Sequence, residues 1–550
     1  MTPTYRTTIT QPPRPAVYGD WPTWAYPPLI TQLADEYGIT RPYQHQSLTA
    51  TTAHDGRHVI IATGTSSGKS LGYQLPALTD LARNPAACAL YLTPTKALGN
   101  DQLTAILRLC RADPALASIN PAPYDGDTPT EARRTIRATS RYLVTNPDML
   151  HGGILAYPDL WRRLLANLRY VIVDEAHQYR GVFGAHVSLV LRRLLRLARR
   201  AQQPRGNVGE DGRGIGVGAG GHGGREPKTG GPVVILASAT SNNPAQQAAQ
   251  LIGDPDVVAV TEDGSPRGRR TIILTETGPA DSPGGALGED SGEGVGEGLA
   301  ADAGDAGRQA DVHPGDRRRS ITTEAALLMA DFLVEGARTL VFTKSRAGAE
   351  LVALRAQTEL ARVGRPDLSA RVAAYRAGYL AADRRRIELA LDDGELLGVA
   401  ATNALELGID IGGLDAVITA GFPGTLASFW QQAGRAGRRN QAATVVLIAS
   451  ADPLDAYLVR HPDALISRPV EAAVFDPTNP HILAGHVLCA ALEAPLTDRE
   501  VAWFRAGPVV DRLVADGWLR RRPRGYYAAV PPGQPDPHRV VSVRGSGREI

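Results

Sequence analysis

Apolar and polar positions alternate along this chain in blocks rather than residue by residue. Val59-Ile60-Ile61, Leu90-Tyr91-Leu92, Tyr142-Leu143-Val144, Tyr170-Val171-Ile172-Val173 and Val233-Val234-Ile235-Leu236 each run into a small or polar loop and then a helical pattern. Short continuous apolar runs predict strands buried on both faces, and their alternation with helices predicts a parallel sheet covered on both sides. The polar residues after each run then sit at the carboxyl edge of the sheet, where open α/β sheets bind ligands. The rhythm restarts near Ser320, with a helix over 323–335 and a strand over 339–342. Strand-like segments at 371–375, 398–400, 416–418 and 444–448 follow, with a helix over 426–433. The fold class expected is α/β, in two domains with parallel sheets.

Two stretches break the rhythm. Residues 202–231 are glycine-rich, and residues 278–317 are rich in Gly, Asp and Glu. Neither has apolar periodicity, so both are expected to be disordered, the first as an insert and the second as an acidic linker. Residues 1–20, rich in Pro and Thr, read as a flexible arm. Trp21, Trp24 and Tyr26 then read as packing on the first domain, with base stacking as the alternative. The expected organisation is an arm (1–20), a first domain (21–277), a linker (278–317), a second domain (318–465) and a tail (466–550). In the tail, residues 480–491, 497–505 and 509–516 read as helices. Gly517-Trp518-Leu519 and Tyr526-Tyr527-Ala528-Ala529 flank Arg520-Arg521-Arg522-Pro523-Arg524-Gly525, which suggests a winged helix whose wing has a basic tip. That tip suits duplex phosphates and equally suits solvent.

Chemistry enters at the first loop. Thr63-Gly64-Thr65-Ser66-Ser67-Gly68-Lys69-Ser70 joins a buried strand to a helix over 71–81. Small residues there let backbone N–H groups and the positive helix end converge on an anion. Lys69 suits the β- and γ-phosphates of ATP and the Ser70 hydroxyl suits Mg²⁺, with Thr65, Ser66, Ser67 and Gly68 completing the cradle. Thr63 stands where the usual pattern has glycine, so by itself the loop leaves a tight turn open. Asp174-Glu175 strengthen the nucleotide reading, with Asp174 holding Mg²⁺, Glu175 as base for the attacking water and His177 behind them. In the second domain Arg435 and Arg438 stand among small residues, the layout of arginine fingers directed at a γ-phosphate from across a cleft. Gln46, upstream of the loop, can pair its donor and acceptor with adenine, although alone it reads as a helix surface residue.

Composition adds one argument. Of 59 lysines and arginines only four are lysine: Lys69, Lys96, Lys228 and Lys344. Codon bias accounts for the arginines but not for where lysine persists. A compact ammonium and a planar guanidinium are not interchangeable in a tight phosphate site. Lys69, Lys96 and Lys344 lie in candidate phosphate-contacting loops, and Lys228 lies in the glycine-rich insert. A net charge of +2 confines any basic surface to a local patch. No apolar run is long enough to span a bilayer and no signal-peptide core is present, so no membrane partner is expected. Three scattered cysteines fit free thiols in a reducing cytoplasm.

In this order the residues resemble superfamily-two helicases over 38–460. Gln46 matches their adenine-reading glutamine, Lys69 and Ser70 motif I, and Asp174 to His177 the DEAH form of motif II. Ser238-Ala239-Thr240 matches motif III, and Gln431 to Arg438 motif VI. More narrowly the chain resembles the MrfA/YprA-type bacterial DNA helicases. The stretches that carry this are Tyr124-Asp125-Gly126-Asp127, Tyr179 to His186, Asp263 to Gly268, Arg460-His461-Pro462, Asn479-Pro480 and Ala484-Gly485-His486.

The resemblance implies two RecA-like domains, ATP and Mg²⁺, and ATP-driven 3′→5′ translocation along single-stranded DNA or tailed duplexes in DNA repair. It implies contacts to the sugar–phosphate backbone from Pro94, Thr95, Lys96, Thr145, Asn146, Thr343, Lys344 and Thr402. It further implies a catalytic role for Gln431, a link from Asp410 to the ribose or to a finger, and coupling through Ser238, Thr240 and His177. Hydroxyls, ammoniums and amides in those loops independently fit backbone tracking. A monomer is expected, with no protein partner specified. The family continues into a zinc domain with four clustered cysteines, and this sequence has no CxxC pair, so a fragment or truncated product is expected. An RNA helicase or remodeller, and a remnant that binds nucleic acid without unwinding, are the alternatives.

Overall fold

The computed structural model describes residues 6–203, 230–278, 318–376, 378–406, 414–437, 441–468 and 470–545. The two stretches expected to be disordered lie outside these, apart from their edges, as does Lys228. The strands in chain order are β1 (Arg6–Gln11), β2 (His58–Ala62), β3 (Cys88–Leu92), β4 (Ala122–Pro123), β5 (Tyr142–Thr145), β6 (Leu168–Val173), β7 (Val233–Ser238) and β8 (Val257–Val260). They continue with β9 (Arg270–Thr275), β10 (Thr339–Thr343), β11 (Val372–Tyr375), β12 (Gly398–Ala401), β13 (Ala416–Ala420), β14 (Ala443–Ile448), β15 (Leu519–Arg522) and β16 (Gly525–Ala528). The chain folds as two units.

The first unit takes residues 14–267 and 469–550. Among its described residues a seven-stranded sheet runs in the order β4-β5-β3-β6-β7-β2-β8, every pair parallel. Strands β2, β3, β5 and β7 are buried at every position, as their uninterrupted apolar runs require. Alternate residues serve opposite faces: Ile60, Leu90 and Val171 enter one core, and Val59, Ile61, Tyr91 and Ile172 the other. Trp24 stacks on His54 at 4.0 Å and the Trp21 indole donates to the Thr40 carbonyl, so these aromatics pack on this unit as expected.

The tail belongs to the same unit. Its helices are Pro480–Glu493, Asp498–Phe504 and Gly507–Ala515, and β15 and β16 pair antiparallel as the wing. It docks on the long helix Gly181–Gln202, which gives Val190 and Leu194 to the sheet core and Ala185 and Leu189 to the core of the tail. A helix covered on both sides should be apolar throughout. This one buries Arg192, Arg193 and Arg196 as well. Each has a partner: Arg192 donates to the Gln250 carbonyl (2.7 Å), Arg196 to the Ala490 carbonyl (2.7 Å), and Arg193 pairs with Glu493.

The second unit takes residues 1–13, 268–406 and 411–468. Its seven-stranded sheet has the order β1-β9-β14-β13-β10-β12-β11, parallel except for β1 against β9. Two expectations are corrected here. Arg6–Gln11 is not a loose arm but an edge strand, in register from Arg6 with Thr275 to Gln11 with Arg270. Its β-branched Thr-Thr-Ile-Thr core favours an extended, half-buried ladder, and the neighbouring prolines hid that signal. The first domain also ends earlier than residue 277, because β9 pairs with β14 in the second sheet. Among the described residues no helix is long and apolar enough to cross a membrane.

Candidate active site

Strand β2 delivers the phosphate loop, and the helix Lys69–Arg83 opens on its lysine. Gly68 sits at φ +76°, and a Cβ there would lie 2.6 Å from Gln46 Nε2. The positive φ favours glycine at that position, and a Cβ would also push the Gln46 amide aside. Gly68→Ala is therefore expected to cost about 1–2 kcal/mol of stability and to weaken nucleotide binding by at least about tenfold. Thermal melting and titration with a fluorescent ATP analogue would check both.

Thr63, the residue in the glycine position, hydrogen-bonds Ser67 Oγ at 2.7 Å through its hydroxyl, and so stiffens the loop. Thr65 is part-exposed and Ser66 exposed at φ +61°, on the outer turn of the loop. Lys69 Nζ donates to the Thr63 (3.2 Å) and Gly64 (2.9 Å) carbonyls. Burial lowers the Lys69 pKa, and the Glu175 and Asp174 carboxylates oppose that shift. The Ser70 hydroxyl accepts from Tyr73 at 3.1 Å. Gln46 donates to the Gly68 carbonyl (2.7 Å) and accepts from the Tyr43 N–H (2.7 Å), which leaves each end of its amide one further hydrogen-bonding position.

Strand β6 ends at Val173, just before Asp174, and β7 separates β6 from β2. Burial pushes the Asp174 carboxyl up to about 6, and the Glu175 charge adds to that. The Tyr91 hydroxyl and the Glu175 N–H (2.9 Å) both donate to Asp174 and hold it in place. Glu175 adopts φ +49° and ψ +44°, a left-handed backbone rare for a residue with a Cβ. Its carboxylate lies 3.3 Å from His177 Nδ1, and the same nitrogen accepts from the Ala239 N–H at 3.3 Å. The end of β6 is thereby tied to the Ser238-Ala239-Thr240 segment. Ser238 is buried, with its hydroxyl unpartnered among the described residues, and Thr240 is exposed.

The residues expected at nucleic acid divide by exposure. Lys96 is exposed and paired with Asp127 at 2.6 Å, while Thr95 and Asn146 cap helix starts through their side chains. Pro94 is buried and its carbonyl accepts from Arg544. Thr145 is buried and its hydroxyl is taken up by the Tyr124 carbonyl (2.7 Å). In the second unit Lys344 is exposed, 3.9 Å from Asp455, and Thr343 and Thr402 are buried at the ends of neighbouring β10 and β12. There too, Gln431 is buried and Arg435 donates to the Glu406 carbonyl, with Gln432 Nε2 on the Glu406 carboxylate at 2.9 Å. Arg438 and Asp410 lie outside the described residues.

Sequence reasoning gave no role to His45. Its Nε2–H donates to the Ser67 carbonyl (3.0 Å) and its Nδ1 accepts from the Gly264 N–H (3.1 Å). Burial lowers its pKa, so it holds the phosphate loop as a neutral ring. The stretch Asp263-Gly264-Ser265 was a visible signal without a function. It forms the far side of this clamp, with Asp263 paired to Arg14 at 2.8 Å.

The donor set suits a nucleoside triphosphate: a glycine-gated cradle, one buried ammonium, and a hydroxyl and an acid able to share a cation. Comparisons with known proteins agree. Residues 41–248 match the DEAD/DEAH box helicase family model, 325–440 the helicase conserved C-terminal domain, and 475–546 the winged helix domain of ATP-dependent helicase HRQ1. The chain is 35% identical over 513 residues to the uncharacterized ATP-dependent helicase YprA of Bacillus subtilis, covering 93% of this chain and 60% of that protein. It is 36% identical over 508 residues to ATP-dependent helicase HRQ1 of Saccharomyces cerevisiae, covering 92% of this chain and 42% of that protein. A crystal structure of the DUF1998 helicase MrfA bound to DNA superposes with a TM-score of 0.82 at 33% identity, covering 99% of this chain and 64% of the other. The chain thus spans less than two thirds of the length of each of these relatives.

Proposed function

The chain belongs to the superfamily-two DEAD/DEAH-box helicases, in their MrfA/YprA branch, and from that premise we propose that it hydrolyses ATP to move along DNA and separate its strands. The observation that carries the proposal is the strand order β6-β7-β2, which brings Lys69, Ser70, Asp174 and Glu175 to one edge of one sheet. Lys69 moves from the Thr63 and Gly64 carbonyls to the phosphates. Ser70 and Asp174 would hold Mg²⁺, which when bound would supply charge to offset that of the phosphates. Glu175 orients the attacking water and takes its proton. Gln46 has hydrogen-bonding capacity left for adenine, and the family resemblance assigns Arg435, Arg438 and Gln431 to the γ-phosphate. Asp410 links that chemistry to the strand-binding face. The His177 bridge to Ala239 supports a coupling role for Ser238 and Thr240. Contacts from the ends of β3, β5, β10 and β12 to the sugar–phosphate backbone would give tracking of one strand without base recognition. The 3′→5′ direction and a role in DNA repair follow from the family resemblance.

ATP hydrolysis by this chain, alone and with matched single-stranded DNA or RNA, tests the proposal, with Glu175→Gln as blank. Stimulation by DNA is the expected result. A preference for RNA would move the substrate to RNA. A folded sample with no turnover above the blank would leave a nucleic-acid-binding module in place of a motor.

A further inference from the structure

Beside the loops that end β3 and β5, the first unit holds a cavity of about 870 Å³, separate from the phosphate loop. Its back wall is the buried ring pair Tyr124 and Trp161, edge to face at 4.7 Å. The Trp161 indole N–H fixes that wall by donating to the Gly153 carbonyl at 3.0 Å. At the mouth, Tyr157 and Leu160 are 50% and 60% exposed, large apolar side chains that folding leaves in water. Lys96, Arg133, Arg137 and Arg544 also line the cavity; Lys96 is paired with Asp127 (2.6 Å) and Arg544 with the lining acid Asp148 (2.7 Å).

The floor carries a second, independent signal. Residues Leu150–Leu155 form a π-helical turn, a rare geometry that recurs at functional sites. Two glycines lie in it. Packing explains Gly153, where a Cβ would meet Met149 Sδ at 2.1 Å. Nothing in the fold explains Gly152: its φ is not positive, and a Cβ there meets no atom within 4 Å. The space above Gly152 is therefore open to something other than this chain.

We propose that the cavity receives one unpaired nucleobase from the strand that tracks the loops at Pro94–Lys96 and Thr145–Asn146, a proposal that rests on the helicase reading above. A base is flat and apolar on its faces and carries an anion on either side. Tyr157 offers the stacking surface, and the basic residues face the flanking phosphates. A free anion would make no use of Tyr157 and Leu160, and an apolar peptide would make no use of Arg133 and Arg137. Stacking accepts any base, so the site adds hold on the strand without adding a sequence preference.

The test is the affinity of the 550-residue chain for a single-stranded oligodeoxynucleotide and for the same strand with its bases replaced by abasic residues. The wild-type chain is expected to prefer the strand with bases by about tenfold. Gly152→Leu, which fills the open space, and Tyr157→Ala, which removes the stacking face, are each expected to erase that preference while leaving affinity for the abasic strand unchanged. Tyr157 is half exposed, so its variant covers the case in which Gly152→Leu disturbs the π-turn; a thermal melt identifies that case. Equal wild-type affinity for the two strands, or a preference that survives both variants, would overturn the base site and leave the helicase reading standing. Binding of neither strand would overturn the helicase reading, and the base site with it.

Discussion

Glu175→Gln is expected to bind ATP with near-normal affinity and to hydrolyse it about 10²–10⁴-fold more slowly, the range for losing a general base. The substitution keeps the shape of the side chain, and removes its ability to accept a proton together with the charge that acts on Asp174 and Lys69. The backbone makes a second variant informative. Glu175 holds a left-handed conformation at φ +49°, which costs a residue with a Cβ about 1–2 kcal/mol. Glutamine inherits that strain, so its effect is chemical rather than conformational. Glu175→Gly relieves it, and is expected to raise stability by about 1 kcal/mol while hydrolysis stays lost. Single-turnover hydrolysis and thermal melting of the two variants separate the effects. Near-normal turnover in Glu175→Gln would remove Glu175 as the base.

The second large effect is in the core that joins the tail to the first sheet. Glu493→Ala is expected to cost about 3–5 kcal/mol, because it leaves the Arg193 guanidinium buried without its counter-charge. Both side chains are fully buried, and Glu493 also meets His538 Nε2 at 3.2 Å. Replacing Arg193 and Glu493 together by Met and Leu removes the unpaired charge but leaves the His151 and His486 Nδ1 atoms without their donor, so it should cost less than Glu493→Ala without reaching neutrality. Urea unfolding of the single and double variants measures the difference.

The same cluster sets a pH dependence. Arg193 donates to Nδ1 of His151 (2.9 Å) and Nδ1 of His486 (3.0 Å), so both rings must be neutral there. Their Nε2–H groups donate onward, to the His538 carbonyl at 3.1 Å and to His186 Nδ1 at 2.9 Å. Burial, with the Arg193 charge adding to it, drives His151 down to about 2 and His486 well below its ordinary value. The folded rings hold their protons more weakly than the unfolded ones. Their contribution is therefore present above about pH 6.5 and lost as pH falls below it, by up to about 1.4 kcal/mol per pH unit for each ring. Unfolding midpoints measured at pH 7.5 and 5.5 should fall together with pH. A flat profile would show that the rings are not held neutral.

The sequence by itself determined most of the elements and the candidate residues they carry. Uninterrupted β-branched runs such as Val59-Ile60-Ile61 read as strands buried on both faces. Lysine retained in an arginine-rich chain marked Lys69 before any strand was paired, and the three tail helices and the basic wing were legible from local periodicity. Only the tertiary structure decided which strands lie side by side. Every parallel strand carries the same local signal, so nothing in β2 or β6 says that β7 will separate them and bring Lys69 and Asp174 to one edge. The same holds for Arg6–Gln11, whose pairing is with a strand some 260 residues away and whose β-branched signal the neighbouring prolines hide. It also holds for Arg193, which looks like a surface residue until Glu493, 300 positions later, meets it in the core. Period and propensity act within a few residues, whereas strand order and buried charge pairing are settled by which distant surfaces exclude water together.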